Sequence, residues 1–465
     1  MKVTQAYRYA LDPTAEQAAA LASHCGAARF AFNWGLALVK TALSQREAEK
    51  SYGVPDEQLT EVAWSLYGLR RAWNATKHTA APWWAENSKE AYNSGLDGLA
   101  RALKNWSASR KGARKGPKIG FPRFKSKHRA ALSCRFTTGV IRVEADRRHV
   151  TLPRLGTIRT CESTRKLARH MEHGTGRILS ATVRREGGRW FVAFTCEIDR
   201  TERAPTGPDA VVGVDLGVKV LAVLSTGEVI ANPRHHRSAL KRLRRLNKQL
   251  ARRTGPRTPD GGRREASARW AKTKAALGKS HARVANQRRD GLHKLTSRLA
   301  ATWGTVVVED LNVSGMLANR RLARAVADVG MAEVRRQLTY KTIWHGGRLI
   351  VADRWFASSK TCSGCGAVRA KLALSERTYT CTECGLVLDR DHNAALNLAA
   401  LAADVAQSRE ETLNARGGAV DPAPVPGTHR RNGNPENGER SGASRKLPDG
   451  VLTKTPSQAT EPTLT

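Results

Sequence analysis

Two C-x-x-C pairs, Cys362 with Cys365 and Cys381 with Cys384, stand fifteen residues apart. Four thiolates at this spacing suit one tetrahedral Zn²⁺, and two knuckles drawn onto a single ion fix the path of the chain between them. Gly364, Gly366 and Gly385 sit where such tight turns need unusual φ values. Four sulfur ligands leave no open coordination position, so the ion expected here is structural. A redox pair is the alternative reading of the motif. No secretory signal precedes it, which favours a metal site in a reducing compartment over a disulfide framework. The other cysteines, Cys25, Cys134, Cys161 and Cys196, are scattered and are expected to be small buried hydrophobes.

Directly after the second pair come Asp389 and Asp391, at the mouth of an alanine- and leucine-rich helix expected over 391–405. Two apolar strands also end in acids: "VVGVD" in Asp215, and "TVVVED" in Glu309 and Asp310. Singly, each has a plain explanation. Asp215 could open a turn before Gly217, Glu309 could mark a strand meeting solvent, and Asp391 could be an N-cap. Together, a strand-end Asp, a strand-end Glu and a helix-start Asp can converge on Mg²⁺. Two such ions about 3.5–4 Å apart stabilise attack on, and departure from, a phosphodiester.

Charge points the same way. Lys and Arg number 79 against 41 Asp and Glu, a net charge of +38. That balance fits a polyanion: nucleic acid, or less often an anionic membrane surface. No apolar run approaches the ~18 residues of a membrane span. The cations are also concentrated. Residues 110–129 carry nine Lys or Arg and no acid, with Phe121 and Phe124 interleaved and Gly and Pro ruling out a helix. Residues 234–253 again carry nine and no acid, above a stripe of Leu240, Leu243, Leu246 and Leu250. Such density repels itself unless a polyanion lies against it.

The chain, 465 residues long, has room for two or three domains. A strand is expected over 2–10, then a helix over 15–43 begun by a Thr14–Gln17 capping box. Helices continue through 56–106 with Trp64, Trp73, Trp83, Trp84 and Trp106, read mainly as core. Residues 133–200 read as all-β, with a hairpin at Gly187-Gly188. A linker at 203–208 precedes two strands over 210–230. Helices are expected over 234–253, 266–301 and 328–345, and strands over 305–310 and "RLIVADR". Beyond about 410, apolar periodicity stops and a disordered tail is expected.

In this order the motifs resemble the TnpB/OrfB family of insertion-sequence proteins, relatives of the type V CRISPR effectors. The likeness covers about residues 1–400. "YRYALDPTAEQAAALASHCGAARFAFNWGL" resembles the family's opening segment, once described as helix-turn-helix, and "GFPRFKSK" its basic loop. "GVDLGVKVLAVLSTGE", "VVVEDLNVSGM" and "CTECGLVLDRDHNAALNLA" resemble the three motifs of its RuvC-type nuclease, the last preceded by a zinc ribbon.

The resemblance implies a multi-domain α+β protein. Residues 1–207 would form a β-barrel with a helical insertion (14–108) for guide RNA and target recognition. Residues 208–405 would form an RNase H-like RuvC domain carrying a basic helical insertion (234–301) and a zinc ribbon (358–388), and 406–465 the tail. It implies Asp215, Glu309 and Asp391 as the Mg²⁺-binding catalytic acids, the Asp-x-Asn-Ala-Ala motif selecting Asp391 over Asp389. It implies Cys362, Cys365, Cys381 and Cys384 as the Zn²⁺ ligands. Candidate nucleic-acid contacts are Lys118, Arg123, Lys125, Lys127, Arg244, Arg245 and Lys248. The implied activity is RNA-guided DNA cleavage, with target DNA and a guide RNA from the transposon end as partners, in a prokaryotic cytoplasm at the nucleoid, with no membrane and no small-molecule substrate. Two alternatives stand beside it: a transposase joining DNA ends, and a non-catalytic DNA-binding regulator on the same fold.

Overall fold

Strand β1 (Lys2–Asp12) ends at a capping box. Thr14 Oγ1 accepts from the Gln17 N–H at 3.2 Å, and Gln17 Oε1 accepts from the Thr14 N–H at 3.1 Å. From there α1 (Ala15–Ser51) runs past its expected end at 43, burying Leu21, Cys25, Ala28, Phe32 and Leu36. The computed structural model describes residues 1–416 other than 115, 128, 202, 255–265 and 374. Of the tail expected over 406–465, residues up to 416 continue a helix, and the rest lies outside the described residues. Residues Met1–Ser408 form one compact unit, which holds both large sheets and the cysteine cluster.

Helices α2 (Leu66–Ala80) and α3 (Lys89–Arg110) pack with α1. α1 and α3 come close at Gly95, where a Cβ would stand 2.1 Å from the Ala28 carbonyl oxygen. All three helices lie between β1 and the next strand of the same sheet. That sheet adds β2 (Ser133–Phe136), β3 (Arg142–Val143), β4 (His149–Leu152), β5 (Gly156–Thr160), β6 (Gly176–Glu186) and β7 (Arg189–Asp199). Its order is β2-β6-β7-β1-β5-β4-β3, with every pairing antiparallel. Gly187 and Gly188, at φ 57° and 86°, make the two-residue hairpin turn between β6 and β7. The 133–200 segment is not all-β: α4 (Arg165–Glu172) interrupts it, burying Leu167 and Ala168. Cys161 is exposed, unlike the buried Cys25, Cys134 and Cys196.

A second sheet is built from β8 (Gly207–Leu216), β9 (Ala222–Leu224), β10 (Val229–Ile230), β11 (Trp303–Glu309) and β12 (Arg348–Ala352). The order is β10-β9-β8-β11-β12. β8, β11 and β12 are parallel, and β9 and β10 antiparallel, so 210–230 holds three strands rather than two. Between β10 and β11 come the basic helices α5 (His235–Arg252) and α6 (Ala268–Thr302). Between β11 and β12 come α7 (Val313–Ala318), α8 (Ala323–Val329) and α9 (Met331–Trp344). The single helix expected over 328–345 is broken at Gly330, whose φ of 76° ends α8 and starts α9.

This sheet is buried on both faces, which explains its unbroken valine runs. Val306 and Val308 pack with Leu292, Leu295 and Leu299 of α6 and with Val334 and Leu338 of α9. Val307 packs on the other face with Leu398 and Ala402 of α10 (Arg390–Arg416). A small ribbon, β13 (Thr378–Thr380) with β14 (Val387–Asp389), leads into α10. Among the described residues, no helix is long and apolar enough to cross a membrane.

Candidate active site and metal centre

Alternation along β8 and β11 decides which way the acids point. Gly213 lies so close beneath α10 that a Cβ there would stand 1.9 Å from the Ala395 carbonyl oxygen. Val307 faces the same helix. Two residues on, Asp215 and Glu309 therefore rise on that face. Val214 pairs with Val308, so the two acids follow at matching positions on neighbouring strands, at the carboxyl end of the parallel sheet. Asp391, in the first turn of α10, stands over that end.

The electrostatics record this convergence. Burial pushes Asp215 up, and the charges of Glu309 and Asp391 push it further, to a pKa of about 8. Each neighbour has its own partner. Ser358 Oγ donates to Glu309. Asp391 takes Arg390 at 3.3 Å and Arg377 at 3.7 Å. As a set the three carboxylates are not within 4.8 Å of one another; among the described residues only the four cysteines are.

Asp389 and Asp391 hold different partners. Asp389 Oδ1 accepts from the N–H groups of Asp391 at 2.9 Å and His392 at 3.2 Å, so Asp389 caps α10. Asp391 is free of that duty. Asp310, one residue past Glu309, is held differently again. Burial alone would raise it, but hydrogen bonds and charge from Arg335 and Arg354 outweigh that and hold its pKa below the usual carboxylate value. Arg354 Nη2 donates to Asp310 Oδ2 at 2.8 Å, and Arg335 Nη1 donates to Oδ1.

The four cysteines meet as two knuckles with the same hydrogen bonds. Cys362 N–H donates to the Ala367 carbonyl at 2.8 Å, and Gly366 N–H to the Cys362 carbonyl at 2.9 Å. Cys381 N–H likewise donates to Leu386, at 2.9 Å, and Gly385 N–H to Cys381, at 3.2 Å. Gly366 and Gly385 carry φ of 77° and 75°. Gly364 is not at positive φ, contrary to expectation; a Cβ there would stand 3.8 Å from two of the sulfurs. Sγ–Sγ distances are 3.6 Å for Cys362–Cys384 and for Cys365–Cys381. A tetrahedral ion at Zn–S distances of about 2.3 Å asks for roughly 3.8 Å, so the cluster fits one. As free thiols the cysteines pull apart in acidity: backbone N–H groups of Cys384 and Glu383 hold Cys381 down to about 7, while Cys365 and Cys384, against the backbone N–H groups of Ala367 and Leu386, are raised by their thiol neighbours.

Two asparagines, the Asn of the Asp-x-Asn-Ala-Ala motif and one a turn later that the sequence did not single out, join this centre to α10. Asn393 Oδ1 accepts from the Ser363 N–H at 3.0 Å, and its Nδ2 donates to the Thr361 carbonyl at 2.7 Å. Asn397 Nδ2 donates to the Ser358 and Thr361 carbonyls, both at 2.7 Å. Both asparagines are buried. Polar residues spaced i, i+4 on an apolar helix face were the available signal.

The basic candidates divide. Lys118, Arg123 and Lys127 are exposed on the irregular segment after α3. Lys125 instead anchors that segment: its N–H donates to Asn33 Oδ1 at 2.8 Å, its carbonyl accepts from Asn33 Nδ2 at 3.0 Å, and its ammonium lies 3.7 Å from the Phe32 ring centroid. Arg244, Arg245 and Lys248 are exposed on α5, over the buried Leu243 and Leu246. Of the tryptophans, Trp73 is core, while Trp64 stacks on Trp106 at 6.0 Å near the surface.

Comparison with known proteins decides the family. A "Putative RNA-guided DNA endonuclease" of Mycobacterium tuberculosis is 41% identical over 414 residues, 85% of this chain and 86% of that one. The chain belongs to the TnpB/OrfB family. Within this family, a protein of the same description from Streptomyces pristinaespiralis is 36% identical over 88% of this chain and 91% of its own. The family model described as "Probable transposase" matches residues 193–320, which include Asp215 and Glu309. The model "Cas12f1-like, TNB domain" matches 332–398, which include the four cysteines and Asp391. A "Helix-turn-helix domain" model matches 1–48, yet that segment of this TnpB/OrfB member folds as β1 and one uninterrupted helix, α1. Among solved structures, a chain of a Cas12f1–sgRNA–target DNA complex is similar at 13% identity and a TM-score of 0.47, covering 86% of this chain and 99% of that one, too distant to bear on function.

Proposed function

We propose that this chain is a transposon-associated, RNA-guided DNA endonuclease, with Asp215, Glu309 and Asp391 as its catalytic acids. The observation that carries the reading is the placement of Asp215 and Glu309 at the carboxyl end of neighbouring parallel strands with Asp391 at the start of α10, where burial first and then the charges of Glu309 and Asp391 raise Asp215 to about 8. The relatives named as RNA-guided DNA endonucleases support it. In this reading the 3-2-1-4-5 strand order of the second sheet is that of an RNase H-like, RuvC-type domain over 208–405. Residues 1–207 form the β-barrel and helical insertion that hold guide RNA and target.

Three hard carboxylates facing one end of the sheet suit Mg²⁺, which when bound would stabilise the attacking and leaving oxygens of a phosphodiester. Asp215 and Glu309 fix two positions from the sheet, and Asp391 closes the site from α10. To hold a divalent cation, Asp215 would have to be in its deprotonated form. Cys362, Cys365, Cys381 and Cys384 hold a structural Zn²⁺, and Asn393 and Asn397 transmit its position to the start of α10. Exposed Lys118, Arg123, Lys127, Arg244, Arg245 and Lys248 contact phosphates, with Lys125 setting the path of its segment. The reaction takes place in a prokaryotic cytoplasm, at the nucleoid.

The test is to sequence the RNA that copurifies with the protein from its native locus, then supply that RNA with matching DNA and Mg²⁺. Cleavage that follows a recoded guide supports the proposal. Joined transposon ends formed without RNA would replace it with strand transfer.

A further inference from the structure

Asp310 is an acid that the metal reading leaves without a task. Its carboxylate bridges two arginines that are far apart in sequence, Arg335 at the start of α9 and Arg354 just after β12. Both guanidinium groups are only partly covered, with side chains 43% and 47% exposed. Each has five N–H donors in a fixed fork, and one carboxylate cannot use them all. Two cations held by one anion leave a net positive charge beside Glu309.

The same two arginines line a pocket of about 260 Å³ that also includes Glu309. Its remaining wall is largely apolar, with Leu216, Leu311, Val313 and Met331. A cationic edge with an apolar wall suits a nucleotide: phosphate on one side, sugar and base on the other. Next to Arg354 stands Trp355, 86% exposed. Its turn is tied down, since Asp353 Oδ1 accepts from the Trp355 N–H at 2.8 Å and the half-buried Phe356 packs against the cluster beneath α10. Burying an indole this large would be favourable by roughly 1.5–3 kcal/mol, yet the fold leaves it in solvent on a fixed turn at the carboxyl end of the sheet.

We propose that the pocket beside Glu309 is a nucleotide subsite for the strand being cut, with Arg335 and Arg354 on the phosphate next to the scissile one and Trp355 stacked on the adjoining unpaired base. Asp310 is the positioning residue that sets the spacing of the two arginines. The proposal rests on the nuclease reading, which identifies the strand; binding and cleavage measured separately tell the two apart.

The binding arm uses the full chain carrying Asp215→Asn with its copurifying RNA. The probe is a matched target whose cut strand carries 2-aminopurine at the adjoining position. Stacking on Trp355 quenches the probe. Trp355→Ala is expected to restore its emission and weaken binding of that strand about ten-fold, and Trp355→Phe to retain much of both. The cleavage arm replaces the neighbouring phosphate with an uncharged methylphosphonate. The otherwise wild-type chain slows on the neutral strand. The Arg335→Ala/Arg354→Ala chain is slow on both strands and no longer distinguishes them, and Asp310→Asn narrows the difference. Quenching unchanged by Trp355→Ala, or arginine variants that still discriminate the neutral strand as the wild-type chain does, would overturn the subsite. Cleavage surviving Asp215→Asn would instead overturn the catalytic assignment and leave the binding result standing.

Discussion

Asn393 and Thr361 are joined by a 2.7 Å hydrogen bond from the asparagine amide to the backbone carbonyl, tying the helix that carries Asp391 to the residue before Cys362. With Asn397 on the same carbonyl and on Ser358, the first two turns of α10 are fastened to the loop that enters the cysteine cluster. Ser358 in turn donates to Glu309. The knuckle, the helix start and the strand-end acid thus form one connected structure.

Breaking that connection should separate cutting from binding. Asn393→Leu leaves the Ser363 N–H and the Thr361 carbonyl with one partner fewer, a cost of about 1–3 kcal/mol for a buried group. The expected outcome is a lower melting temperature and slower cleavage at unchanged target affinity. Calorimetry, a binding isotherm and a single-turnover time course on one preparation would check it.

Removing the metal should act through the same route. Chelation, or Cys381→Ser, is expected to lower cleavage more than nucleic-acid binding, because the exposed cations on α5 and on the segment after α3 lie on other elements. Equal losses of both would mean that the cysteine centre supports the whole fold rather than the position of Asp391.

Gly213 offers a sharper steric probe of the sheet–helix contact. A methyl there would stand 1.9 Å from the Ala395 carbonyl oxygen, with the Ala399 nitrogen at 2.7 Å. Because both neighbours are backbone, α10 must move. Gly213→Ala should cost about 1–3 kcal/mol and displace Asp391. A denaturant midpoint and a cleavage rate, both reduced, are the expected readings.

The raised pKa of Asp215 gives a pH signature. The folded chain without added divalent cation keeps a proton that the unfolded chain, with a carboxylate pKa of ~3.9, releases. This contribution to stability is complete below about pH 4 and is lost as pH rises through about 8. Melting temperature should therefore fall across that window, less so in Asp215→Asn. If Asp215 holds Mg²⁺ as proposed, binding would release this proton, so affinity should rise with pH up to about 8, by at most roughly ten-fold per unit.

Much of this was legible in the residues, and the limits have physical causes. The knuckles, the capping box and the strand-end acids are local patterns, set by chelation, helix-end hydrogen bonding and strand periodicity, and they lie where expected. The roles of Asp389 and Asp391 depend on where the helix begins, and two residues of boundary error exchange them. The break at Gly330 was hidden because apolar spacing continues through it. Arg335, Arg354 and Ser358 meet Asp310 and Glu309 only through the crossovers between parallel strands, and nothing in their immediate sequence marks the contact. Cys161 reads like the three buried cysteines because burial is decided by residues distant from it in sequence.

The most direct test compares the wild-type chain with Asp215→Asn, Glu309→Gln and Asp391→Asn, each assembled with the same guide RNA and target and given Mg²⁺. Single-turnover cleavage should fall below detection in all three, with target affinity within a few-fold of the wild-type chain. Cleavage persisting in any one would remove that residue from the active site. Persistence in all three would contradict the account.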